Sequence, residues 1–139
     1  MSDIDVLART IWAEARGEGI RGMEAVAAVI MNRVNADLGN DQKPDWWGEG
    51  VTAVCRKPWQ FSCWNMDDPN RDKLIAVTGK DPWFAHAIEV ARRAIKGELE
   101  DPTAGSDHYC TATVAPVTSW TAGRTPAARI GRHLFYKLR

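Results

Sequence analysis

No stretch of this 139-residue chain approaches the roughly 20 consecutive apolar residues that a membrane-spanning helix needs, so bilayer insertion is not expected. The opening Met1-Ser2-Asp3-Ile4-Asp5 has neither the basic start nor the apolar run of a secretory signal. Synthesis in the cytoplasm without a signal peptide is the expectation. Net charge is lacking as well. Eighteen basic residues balance eighteen acidic ones, so no global field favours nucleic acid or an anionic membrane. There are only three cysteines, Cys55, Cys63 and Cys110, and none forms a Cys-x-x-Cys pair. An odd count leaves at least one unpaired within the chain. The three histidines, His86, His108 and His133, lack His-x-His or His-Glu-x-x-His spacing, so no metal and no cofactor is expected.

What remains is ordinary globular composition, 45% hydrophobic and 26% charged, in a length suited to one domain over residues 1–139. Two features stand out. Seven tryptophans are many for this length, and a flat indole with one N–H suits a core or the face of a sugar ring. From Trp120 onward there are Arg124, Arg129, Arg132, Lys137 and Arg139 and no acid. That stretch reads either as a solvated basic face or as an attraction to an anionic polymer.

The first helix opens with Ser2 as cap and Asp5 three residues on, a capping-box pattern with Asp in the usual Glu position. Ile4, Leu7, Ala8, Ile11 and Ala15 follow at helical spacing until Gly17 and Gly19. A second helix over 23–34 is apolar nearly all round, which places it centrally. Residues 35–65 are irregular and rich in Gly, Pro and Trp, with a short helix or strand over 51–55, and such a segment suits a binding loop. Asp68-Pro69 and Asp81-Pro82 open two further helices. The second carries Phe84, Ala87, Ile88, Ala91 and Ile95 on one face. Residues 101–129 read as loop, and 130–138 alternate as a closing strand. The fold class is mainly helical with a small β element.

One residue on the first helix breaks its own pattern. Extending the apolar stripe 4, 7, 11 by steps of three and four reaches Glu14 and Glu18. Glu14 therefore occupies a core-facing position in the last helical turn. Burial disfavours its charge, and the negative end of the helix dipole disfavours it again. Both raise the pKa, as a general acid working near neutral pH requires. The ordinary alternative is a structural ion pair with Arg9, Arg16 or another base.

The runs Ala-Arg-Thr-Ile-Trp-Ala-Glu-Ala-Arg-Gly-Glu (8–18), Gly22 and Ala-Val-Ala-Ala-Val-Ile-Met-Asn-Arg-Val (25–34) resemble the SleB-like cell wall hydrolases. The similarity continues through Lys-Pro-Trp-Gln-Phe-Ser-Cys-Trp-Asn (57–65), Asp-Pro-Thr (101–103), His108-Tyr109, Pro116 with Trp120, and Ile-Gly-Arg-His-Leu-Phe-Tyr (130–136). The 60–65 block is similar to the phage and prophage endolysin branch. The resemblance implies a lysozyme-like α+β fold and cleavage of the β-1,4 bond between N-acetylmuramic acid and N-acetylglucosamine in peptidoglycan. It puts the catalytic glutamate at Glu14. It matches Glu18 to a second glutamate, catalytic or substrate-binding, and places Gln60 and Tyr109 along the groove. Trp59 and Trp64, flanking Gln60, are candidate sugar-stacking residues or core.

Two-carboxylate hydrolysis needs a second acid across the scissile bond, with Asp45, Glu49, Asp67, Asp68, Asp101 and Asp107 as candidates. A single acid suffices if the muramic 6-hydroxyl attacks, leaving a 1,6-anhydro end. This lytic transglycosylase chemistry is the one expected, with lysozyme-type muramidase action the alternative. Weaker alternatives are an N-acetylmuramoyl-L-alanine amidase and a non-catalytic, Trp-rich glycan-binding module. The expected partner is the peptidoglycan glycan strand, met by a monomer that acts on the wall after endolysin-like release.

Overall fold

The computed structural model describes residues 1–36, 47–58 and 60–139. Helix α1 (Asp3–Ala15) starts where Ser2 Oγ accepts the Asp5 amide, as its sequence pattern implies. The reciprocal half of the capping box is replaced: the Asp5 carboxylate binds Arg9 Nε at 3.0 Å. A 3₁₀ turn, Arg16–Glu18, leads into α2 (Gly19–Ala36), which begins four residues before the sequence pattern does. Gly19 makes the junction with φ +74°. Met23 and the whole run Ala25–Ile30 are buried, which accounts for the apolar circumference of α2.

Residues 51–55 are helical, within α3 (Gly50–Arg56). Both Asp-Pro pairs start helices. Asp68 caps α4 (Pro69–Ala76) by accepting the Asn70 amide, and Asp81 caps α5 (Pro82–Ile95) by accepting those of Trp83 and Phe84. Leu7, Ile11, Val26, Ile30, Val54, Leu74 and Val90 fill the core between these helices. Two polar contacts fix what stands beside the end of α1. Arg9 Nη1 donates to the carbonyls of Leu74, Ile75 and Val77 and so closes the C-terminus of α4. Trp64 Nε1 donates to Thr10 Oγ1 at 2.9 Å and pins the 62–64 turn onto α1.

The expected single closing strand is instead a hairpin plus a third strand. β2 (Ala128–Ile130) and β3 (His133–Tyr136) pair antiparallel with Ile130 opposite His133, and Gly131 at φ +58° opens the two-residue turn. β1 (His108–Thr111) lies within the segment read as loop and pairs with the other edge of β3, giving the order β1-β3-β2. Phe135 of the central strand is fully buried against Ala25 and Val29 of α2, with Tyr109 packed beside it. All three cysteines are free thiols. Cys55 and Cys63 are buried, and burial pushes the Cys55 thiol up to about 12. No helix among the described residues is long and apolar enough to cross a membrane.

Candidate active site

The last turn of α1 and the start of β3 face each other across a cleft of about 410 Å³. Glu14, Gly17 and Glu18 line the helical wall. Thr111–Thr113, Arg129, Arg132 and His133 line the sheet wall. Glu14 stands where the apolar stripe led. Among the described residues it has no cationic partner, because Arg9 is engaged with Asp5 and α4, and Arg16 lies 4.1 Å over the Trp12 ring. Its contact is a single hydrogen bond: the Tyr109 hydroxyl donates to Glu14 Oε1 at 3.0 Å. Burial raises the Glu14 pKa above its ordinary 4.5, the Tyr109 bond opposes that rise, and the charge of Asp68 adds to it. The net displacement is upward.

Tyr109 comes from β1, with its ring 5.1 Å from that of His133 and 5.7 Å from that of Phe135. Its hydroxyl is drawn above its usual pKa by burial and by Glu14, so it remains a donor.

Glu18 sits in a slot made by two glycines. A Cβ on Gly131 would stand 2.5 Å from Glu18 Oε2, and one on Gly22 would collide with the Glu18 Cβ. In that slot Glu18 accepts from Arg132 Nε at 2.9 Å, with the glutamate side chain 10% exposed and the arginine 79%. The pair ties the end of the helical wall to the hairpin turn.

The other sequence candidates stand elsewhere. Gln60 Nε2 donates to the carbonyls of Trp47 (3.0 Å) and Val54 (2.7 Å), so its amide hydrogens brace the loop after α3 instead of facing an acetamido group. Trp64 is buried against α1, its ring under Arg56 at 4.9 Å, and it borders a separate cleft with Arg56 and Met66. Trp59 and Asp45 lie outside the described residues. Among the remaining candidate carboxylates, Asp101 organises the 101–105 turn by accepting from Thr103 and Gly105. Asp107 is buried and accepts the amides of Leu138 and Arg139. Asp68 acts on Glu14 through its charge while its side chain caps α4. Glu49 and Asp67 do not line the cleft. Among the described residues its lining carboxylates are Glu14 and Glu18 alone. No group of three or more His, Cys, Asp and Glu among the described residues could hold a metal ion.

The residue that sequence reasoning missed is His133, which packs against Tyr109 and also lines the cleft wall. Its signal was hidden because the turn at Gly131-Arg132 lay inside an apparently continuous strand pattern.

The family model described as Cell Wall Hydrolase matches residues 17–136. The chain belongs to the cell wall hydrolase family. The match begins three residues after Glu14, so the place of Glu14 in the site rests on its own geometry. Over 136 residues this cell wall hydrolase is 32% identical to the spore cortex-lytic enzyme of Halalkalibacterium halodurans, covering 96% of this chain and 34% of that one. It is 29% identical over 136 residues to the spore cortex-lytic enzyme of Bacillus subtilis, covering 96% and 37%. The chain thus spans about a third of the length of these relatives. Two solved structures share the fold. One is the catalytic domain of the Bacillus cereus SleB protein, with a TM-score of 0.69 and 30% identity, covering 97% of this chain and 89% of that one. The other is the catalytic domain of the germination-specific lytic transglycosylase SleB of Bacillus anthracis, also 0.69 and 30%, covering 99% and 97%. The α+β architecture expected from the sequence is therefore that of SleB catalytic domains.

Proposed function

We propose that residues 1–139 act as one catalytic domain that cleaves the β-1,4 bond between N-acetylmuramic acid and N-acetylglucosamine in peptidoglycan, with Glu14 as general acid and then base. The observation that carries this is the Glu14 carboxyl, held by the Tyr109 hydroxyl at the edge of an open cleft, where burial raises its pKa. Protonated Glu14 gives its proton to the glycosidic oxygen as the bond to the anomeric carbon breaks. The resulting carboxylate takes the proton of the muramic 6-hydroxyl as that oxygen bonds to the anomeric carbon. Acid is regenerated, and the product is a 1,6-anhydro end with no water consumed.

The single-acid route is supported by the second cleft carboxylate, Glu18, being occupied by Arg132. The structural neighbour from Bacillus anthracis, a germination-specific lytic transglycosylase, points the same way. The substrate is the glycan strand of the wall, engaged by a monomer. Purified protein is expected to release anhydro-muropeptides from isolated peptidoglycan, and Glu14→Gln, folded by circular dichroism, is expected to release none. Reducing muramic ends by mass spectrometry would replace the transglycosylase step with hydrolysis. Chelator-sensitive release of free stem peptides would overturn glycan cleavage altogether.

A further inference from the structure

We propose that His133 is a substrate-positioning residue that presents its imidazole Nε2–H to an oxygen of the aminosugar held beside Glu14. The proposal rests on the glycan-cleaving function and adds to it a named contact on the wall opposite the acid. His133 begins the central strand, paired with Thr111 on one side and Ile130 on the other, so its direction is set by both neighbours. Its ring is wedged against Tyr109 at 5.1 Å and Phe135 at 6.2 Å. The residue is 8% exposed and still belongs to the cleft lining.

Its two nitrogens are unequal. Nδ1 is buried with no hydrogen-bond partner among the described residues, whereas Nε2 is not so enclosed. An imidazolium carries an N–H at both positions and would leave the one at Nδ1 without an acceptor. A buried N–H without an acceptor is the costlier orphan, so the ring is neutral with its hydrogen on Nε2. That leaves one donor for whatever enters the cleft.

The charged surroundings agree. Glu18 from the 3₁₀ turn favours the cation, but it is already matched by Arg132 of the hairpin turn, which opposes it. Arg129 of β2 lines the same cleft, Glu14 reaches it from α1, and Tyr109 stands on β1. Burial, the largest influence, holds the imidazole below its ordinary 6.5.

The experiment is the pH dependence of kcat/KM on purified peptidoglycan for the wild type, His133→Phe and His133→Gln, with melting curves for each. In the wild type, activity falls on the alkaline side as Glu14 loses its proton, whereas the Nε2–H of His133 is carried by both protonation states of the ring and sets no acid limb of its own. Both variants are expected to keep that alkaline limb, so what changes between them is the rate. His133→Phe keeps the ring and drops about tenfold in rate, the worth of one hydrogen bond. His133→Gln, which restores an N–H, stays within a few-fold of wild type. A His133→Phe enzyme with wild-type rate overturns the proposal and leaves glycan cleavage standing. If His133→Phe does not fold, the rate of His133→Gln decides: a value within a few-fold of the wild type supports the proposal and a loss of about tenfold overturns it. Activity in Glu14→Gln would sink the underlying function instead, whatever His133 does.

Discussion

Removing one oxygen atom isolates the contact on which Glu14 depends. Tyr109→Phe keeps the ring between His133 and Phe135 and deletes only the donor to Glu14 Oε1. Of the three influences on Glu14, the one that favours ionisation disappears, and burial and Asp68, which both oppose it, remain. A hydrogen bond to a charged group contributes about 1.5–3 kcal/mol, part of which solvent in the open cleft replaces. Since about 1.4 kcal/mol corresponds to one pH unit, the alkaline limb of the activity profile should move up by about one unit. The fold should report the same change. Glu14 has a folded pKa above its unfolded value. Its contribution is therefore whole below about 4.5 and declines as pH rises through the folded value. In Tyr109→Phe that decline reaches further up the pH scale and ends deeper. At pH 8 the melting temperature should fall by about 3 °C for each 1 kcal/mol lost, and by less at pH 4. The assays are release of soluble muropeptides against pH and thermal unfolding at both pH values. An alkaline limb that stays put or moves down refutes the hydrogen-bond account.

The same sign makes Glu14→Gln a stabilising change at neutral pH, since it removes the charge that burial disfavours. Its melting temperature should match the wild type at pH 4 and exceed it at pH 8, and equality at both would show that the carboxyl is not held up by burial. Gly131→Ala should destabilise by about 2–3 kcal/mol and lower activity, because it combines a left-handed φ with a Cβ 2.5 Å from Glu18 Oε2. Gly97→Ala, at φ +75° with nothing within 4 Å, should cost only the strain of about 1 kcal/mol; equal losses by calorimetry would deny Glu18 its seat.

Local physics made the helices readable. Ser2, Asp68 and Asp81 cap helices through contacts two or three residues away, and the stripe at 4, 7 and 11 pointed Glu14 into the cleft. What escaped is long-range. The partner of Glu18 lies 114 residues along the chain, and no local pattern announces it. β1 and β2 are four and three residues long, too short for alternation to register, and the turn at Gly131 hides between two of its own strand residues. Gln60 and Trp64 have the chemistry of sugar-binding groups, but their side-chain N–H donors were claimed by Trp47, Val54 and Thr10. Amino-acid type alone does not distinguish a free donor from a spent one.

Glu14 and the tyrosine that grips it are 95 positions apart. A ribosome extending this chain makes the acid early and its phenol late, and the hairpin that completes the opposite wall later still. Until those strands dock on α2, the acid has neither its donor nor a facing surface. The cleft is thereby assembled only when the hairpin closes over the end of the first helix.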